Sequence, residues 1–422
     1  MPVFSVTSET LVRAGTLSFV LFFLTVSKGA GEKPSTSDNR QDYAQLLALF
    51  PEDRQAYGKD SFRGYMGDQP MTMGQVVSAE AIHYRHSPND ESRRRVRAGV
   101  RWLLDNADLD KDGAPGWGLP QPWDTWSDGT ENPANHSYTI TTAIVIYGLL
   151  DALQAKDLWN DAERAEQRAM LVAVSRRWCR EIWSDGYGGG YFWYSPRKVD
   201  DAFGVNVAAM FLGSLTRLIA EQPDALTDED RKLFTARRDA QAKAIVSTVE
   251  RRKGQPFWKY APLPNRFNLD RPNDLLHHAY TLWGIETYRD AKGPVEIPWT
   301  RAEAVSSMDK FWRDGVPQEY PQNGGTLAKL PARLWSVGMM LAFYAQFGSE
   351  KQAADCFGAI RDRYGKWPQL QLLPVATKAV EKTATQKANV QANAPFIPRQ
   401  AAHVLYGLAI ECYGGKAPRK EK

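Results

Sequence analysis

The chain has 422 residues, 43 % hydrophobic and 24 % charged, which is long enough to bury a large core and ordinary for a globular protein. Its 53 basic and 49 acidic residues leave a formal charge of +4 spread along the chain, which argues against a nucleic-acid-binding stripe. Three cysteines, Cys179, Cys356 and Cys412, lie far apart in helix-like stretches, so neither a disulfide framework nor a zinc cluster is indicated.

In chain order, residues 1–30 combine Arg13, an apolar stretch from Ala14 to Val26 and the small residues Gly29 and Ala30. This is the layout of a secretory signal, with an apolar part short for a membrane span. The expectation is an exported protein, periplasmic or secreted, touching a membrane only if the segment is kept as an anchor. Residues 31–42 read as a polar linker, 43–415 as one domain and 416–422 as a basic, solvated tail.

Within the domain two kinds of helix alternate. Gln75–Tyr84, Tyr138–Leu153, Val205–Ile219, Leu275–Tyr288, Leu334–Phe347 and Ala401–Tyr413 are apolar nearly all round. Between them lie the charged, amphipathic segments Arg93–Asn106, Asp161–Ile182, Thr227–Arg252, Arg301–Arg313 and Glu350–Tyr364, with Tyr43–Leu49 as a sixth. A helix apolar on every side must be covered, whereas a half-charged one can face water. The predicted fold is therefore all-α: an (α/α)6 toroid, an inner ring of helices inside an outer ring of hairpin partners. The long Gly/Pro/aromatic loops precede inner helices and so fall on one face of the ring, where function is expected.

Three of these loops carry candidate chemistry. The first runs from Gly116 through Trp123, Asp124 and Trp126 to Asn135-His136-Ser137-Tyr138. Asn135 suits a helix N-cap, which would put His136 beside a helix end attractive to anions. The second, Asn273-Asp274-Leu275-Leu276-His277-His278-Ala279-Tyr280, places Tyr280 three residues after His277 on nearly the same helical face, whereas His278 diverges by about 100°. At most one of these histidines faces a pocket with Tyr280. The third, Gly186 to Pro196, offers a glycine-rich approach and the aromatics Tyr191 and Tyr194, leading to Asp201 and Asn206. Arg333, Trp335 and Arg399 precede the last two inner helices, and an arginine there could pair bidentately with a carboxylate. Stacking aromatics outside a core suit a polysaccharide ligand, with Trp123, Trp126, Tyr191, Tyr194, Asp201, Asn206, Arg333 and Trp335 as its contacts.

Asp108-Leu109-Asp110-Lys111-Asp112-Gly113 matches the start of a calcium loop, but Leu119 stands where an EF-hand needs a bidentate Glu. The alternatives are a structural Ca²⁺ held by Asp108, Asp110 and Asp112, or an Asp/Gly turn.

The helical alternation and the segment Asn135-His136-Ser137-Tyr138 resemble the (α/α) toroid proteins that act on polysaccharides, alginate and glucuronan lyases among them. The resemblance implies β-elimination at a uronic acid in a uronate-containing polysaccharide, with no cofactor required. In that chemistry a group neutralises the carboxylate, a base takes the neighbouring carbon-bound proton, and an acid protonates the leaving oxygen. It implies Asn135 as part of the neutraliser, His136 or His277 as base and Tyr280 or another tyrosine as acid. A glycoside hydrolase or uronyl epimerase using the loop carboxylates Asp124, Asp128, Glu131, Asp200 and Asp201, or a non-catalytic polysaccharide binder, remains open.

Overall fold

The computed structural model describes residues 36–59, 65–262, 272–322, 330–374 and 397–414. The signal-like segment and the basic tail lie outside the described residues. Among the described residues twelve α-helices alternate between two rings. The outer ones are α1 (Thr36–Leu47), α3 (Asp90–Asp105), α5 (Asp161–Glu181), α7 (Asp228–Ser247), α9 (Arg301–Met308) and α11 (Glu350–Arg363). The inner ones are α2 (Pro70–His86), α4 (Thr139–Gln154), α6 (Val205–Glu221), α8 (Leu275–Asp290), α10 (Leu334–Phe347) and α12 (Pro398–Tyr413). Each inner helix packs on the next, and α12 returns to α2, so the inner ring closes. The chain is an all-α (α/α)6 toroid.

Helix ends shift by a few residues from the sequence reading, and three segments change their element. Residues 36–42, read as linker, belong to α1, because Tyr43, Leu46 and Leu47 are buried and draw the helix into the core. The segment read as one helix to Arg252 ends at Ser247, and Glu250–Arg252 forms a hairpin with Gln255–Phe257. Likewise α9 stops at Met308, and Trp312–Arg313 pairs with Val316–Pro317. Lys253-Gly254 and Asp314-Gly315 sit at positive φ in these turns, and such two-residue X-Gly turns favour a hairpin over helix continuation.

The two rings begin their helices differently. Outer helices α3, α5, α7, α9 and α11 are capped by the side chains of Asn89, Asn160, Thr227, Thr300 and Ser349. Inner helices α2, α4, α6, α10 and α12 have no side-chain cap. Unsatisfied first-turn N–H groups are costly when buried, and the neighbouring repeat supplies their acceptors. The amides of Thr139, Val205, Leu275 and Leu334, each the first residue of its inner helix, donate to the carbonyls of Tyr194 (3.0 Å), Tyr260 (3.2 Å), Glu319 (2.8 Å) and Leu372 (2.9 Å). Each loop is thus stapled to the start of the preceding inner helix.

Within the inner ring glycine permits close crossings. A Cβ on Gly148 of α4 would lie 2.5 Å from the Gly74 carbonyl oxygen of α2, one on Gly284 of α8 would lie 1.8 Å from that of Ala209 on α6, and one on Gly407 of α12 would lie 2.9 Å from that of Gly338 on α10. The bore is plugged midway, where Gln75, Ile144, Met210 and Met339 surround a void of about 20 Å³. Each end of the ring therefore opens into a separate cavity.

Candidate active site

The inner helices all start at the end that carries the long loops. There the ring opens into a cavity of about 540 Å³. Its wall includes Trp123, Tyr138, Tyr194, Asn206, His277, Tyr280, Arg333, Trp335 and Arg399, all singled out from sequence, together with Tyr260, Asp274 and Glu319. The loop staples explain part of this wall, since Tyr194, Tyr260 and Glu319 are the residues whose carbonyls hold the helix starts.

His277 sits in the first turn of α8, the one inner helix among those described that has a side-chain cap. Asp274 Oδ1 accepts the His277 amide at 3.0 Å, and Asp274 Oδ2 lies 2.8 Å from His277 Nδ1. One carboxylate thereby caps the helix and sits beside the ring's Nδ1, a close charge contact outside hydrogen-bond geometry, while the ring borders the cavity. This placement suits a general base. Burial raises the Asp274 pKa, but His277 and Arg333 outweigh that effect and hold it below the usual carboxylate value. Glu319 is shifted the opposite way, to about 7, by burial and by the Asp274 charge, against the pull of Arg333. Its Oε2 accepts the Arg333 amide at 3.0 Å and the Ser336 hydroxyl at 3.3 Å.

One turn beyond His277, the Tyr280 hydroxyl is 2.6 Å from His403 Nε2 on α12. His403 Nδ1 is 2.7 Å from the Arg399 carbonyl, which can only accept, so Nδ1 carries the proton and Nε2 accepts from Tyr280. Burial drives the His403 pKa down to about 3 and raises that of Tyr280, keeping imidazole neutral and phenol protonated. The Arg399 guanidinium stacks 4.8 Å over the Trp335 ring. Asn206 is buried, and neither its amide oxygen nor its nitrogen has a hydrogen-bond partner among the described residues. It is an unspent donor and acceptor in the cavity wall.

The other predicted residues lie elsewhere. Asn135 does not cap α4. It adopts a left-handed conformation (φ 65°) in a turn, its amide bonds Leu119, and the helix begins at Thr139 after Tyr138. That turn puts His136 behind the wall, buried, with Nε2 3.1 Å from Ser195 Oγ. Ser195 in turn donates to Asp200, which also accepts from Asn132 at 2.6 Å. His136 thus ties two loops together, and burial lowers its pKa. Trp126 is buried edge-on to Tyr194 and Tyr260, with centroids 5.3 and 6.1 Å away, as backing for those rings. Tyr191 donates to Asp201, which also accepts from Ser184 at 2.8 Å and pairs with Lys198, so neither residue lines the cavity. His278 packs between Phe257 and Phe311 and lies 2.9 Å from Ser307 Oγ, and burial takes its pKa to about 3. Of the loop carboxylates, Asp124 lines the cavity but accepts the amides of Trp126, Asp128 and Gly129.

Carboxylate oxygens of Asp108, Asp110 and Asp112 lie within 4.8 Å of one another. Asp110 Oδ2 holds Ser137 at the start of α4, and Asp112 pairs with Arg177. Asp110 Oδ1 is buried with no hydrogen-bond partner among the described residues, so a hard cation would find an open ligand there.

Sequence reasoning missed Asp274 as a partner of His277, and it missed Glu319, Tyr260 and His403. The first had a signal, an acidic cap in a ring whose other helices lack one.

No family profile and no curated protein matches the sequence. Solved structures of the same architecture do. A sugar epimerase from a ruminal bacterium has 13 % identity and a TM-score of 0.60, over 89 % of this chain and 98 % of that one. A D-mannose isomerase has 15 % identity and a TM-score of 0.60, over 90 % and 97 %. An unsaturated glucuronyl hydrolase specific for heparin has 10 % identity and a TM-score of 0.53, over 90 % and 96 %. At such identities the likeness is one of fold, an (α/α)6 toroid spanning nearly the whole of each neighbour.

Proposed function

We propose that the chain is a carbohydrate-active enzyme that removes a carbon-bound proton from a uronate-containing polysaccharide and cleaves it by β-elimination. The observation that carries this reading is the His277–Asp274 pair facing a cavity that also holds Arg333, Arg399 and Tyr280. Sugar epimerases and a glucuronyl hydrolase among the structural neighbours support a carbohydrate substrate.

In this mechanism Arg333 and Arg399, rather than Asn135, balance the substrate carboxylate and the charge that builds on it. His277 Nε2 takes the proton from the carbon bearing that carboxylate. The electron pair forms a carbon–carbon double bond as the bond to the leaving oxygen breaks. Tyr280 protonates that oxygen. Its hydroxyl proton rests on His403, so delivery requires rotation about the Cζ–Oη bond, a motion hydroxyls make readily. Tyr138, Tyr194, Tyr260 and Trp335 offer ring faces for the sugars.

The test is incubation with alginate, glucuronan and pectate. Ultraviolet absorbance from the conjugated double bond of an unsaturated uronide product, lost in His277→Ala, supports elimination. Solvent deuterium entering the sugar without cleavage would replace it with epimerisation, and saturable binding without product would make the chain a binder.

A second reading is favoured by the carboxylate pair itself. Glu319 is raised and Asp274 lowered, the division of roles that glycoside hydrolysis requires. New reducing ends without absorbance, abolished by Glu319→Gln, would select it. Asp108, Asp110 and Asp112 are further proposed to bind Ca²⁺, fastening the first long loop to α4.

A further inference from the structure

The opposite mouth of the toroid holds a second cavity, of about 550 Å³, well within the range of roughly 300–1,000 Å³ typical of small-molecule sites. All six inner helices end there, and among the described residues the connections to the outer helices run from two residues, Gly348 and Ser349 between α10 and α11, to ten between α8 and α9.

Its floor is a buried ionic network. Arg217 pairs with Asp151 at 2.8 Å and with Glu221 at 2.6 Å. Ser78 donates to Asp151 at 2.6 Å, and Gln154, itself held by Arg85, donates to Glu221 at 2.9 Å. At the rim Asp290 pairs with Arg301. Arg85 and Arg217 thus face Asp151, Glu221 and Asp290 across the cavity, and Arg301 holds Asp290 from behind the lining, so the carboxylates are already tied up within the protein.

Two donors are left over. Trp283 Nε1 is buried and has no hydrogen-bond partner among the described residues. Arg217 uses Nε and Nη2 for its carboxylates, and Nη1 has no hydrogen-bond partner among the described residues. Tyr147, Phe347, Tyr406 and Tyr413 contribute ring surface to the walls. Aromatic ring surface, with spare donors beside carboxylate acceptors already held by arginines, matches the two-sided chemistry of a sugar ring.

We propose that this mouth is a second binding site, for a neutral hexose unit or short neutral oligosaccharide, distinct from the His277 cavity. It stands on its own observations and does not depend on the reaction assigned to the other end.

Saturation-transfer NMR titration of the full chain with maltose tests it. Binding should saturate, persist in Trp335→Ala, and weaken roughly three- to tenfold in Trp283→Phe, which keeps a ring but removes the donor. It should vanish in Ala220→Phe, an exposed rim position where the new ring obstructs the mouth without entering the core. Absence of saturation, or binding lost in Trp335→Ala and kept in Ala220→Phe, overturns the proposal. So does preferential binding of a cationic probe, arginine methyl ester, over maltose.

Discussion

The two ends of the toroid share six helices and nearly equal cavity volumes, yet they are built for different work. At the end where the inner helices begin, long hairpin loops crowd the opening, and its titratable groups sit in pairs whose members are pushed apart, Asp274 down and Glu319 up. At the other end shorter connections border the opening among the described residues, and its carboxylates are paired in a network around Arg217. The comparison teaches that the ring supplies a container at each end, while loop length and charge pairing set the chemistry each one offers.

The sharpest way to break this comparison is to strike each end and ask what fails. His277→Ala should cost roughly 10²–10⁴-fold in turnover, the usual worth of a general base, with the thermal midpoint little changed. Arg217→Met should do the reverse. It strands Asp151 and Glu221 without their cation, and removing one partner of a buried ion pair costs about 3–5 kcal/mol, read as a lowered denaturation midpoint with turnover retained per folded molecule. If His277→Ala unfolds the protein, or Arg217→Met abolishes turnover in the folded fraction, the division between the ends is wrong.

A smaller effect sharpens the carboxylate pair. The folded-state pKa of Glu319 is raised from the ordinary 4.5 to about 7, so between those values the folded state binds more protons than the unfolded one, and stability falls as pH rises. Glu319→Gln should flatten that decline in denaturation curves taken across the window. Asp274, shifted down, contributes stability above its unfolded pKa and loses it on acidification, so Asp274→Asn should lessen the loss of stability at low pH. The smallest expected effect concerns the loop beside the His277 end. Chelation with EDTA should lower the thermal midpoint by a few degrees, and added Ca²⁺ should restore it. No response in wild type, or the same response in Asp110→Asn, would exclude the cation.

Much of the ring was legible because an apolar helix has no alternative to burial, and six such segments leave few other ways to pack. The loop-bearing end was legible where chemistry is local. His277 and Tyr280 share a helix face because they are three residues apart, and the periodicity says so. It was illegible where partners are distant: Tyr280 meets His403 across 123 residues, and Glu319 enters through a loop whose direction depends on a staple to α8. His136 misled for a related reason. A histidine just before an inner helix looks like a cavity residue, but the left-handed turn at Asn135 decides which way it points, and Asn tolerates that turn without announcing it.

The staples between loops and helix starts have a consequence for how the molecule opens. The amides of Thr139, Val205, Leu275 and Leu334 are each released only when the following loop lifts away. Their hydrogen exchange should therefore report on a neighbour's motion rather than on fraying of their own helices. The cavity rim would then loosen as a chain of linked steps around the circle, so that a ligand seated on one loop slows exchange at the start of the helix before it.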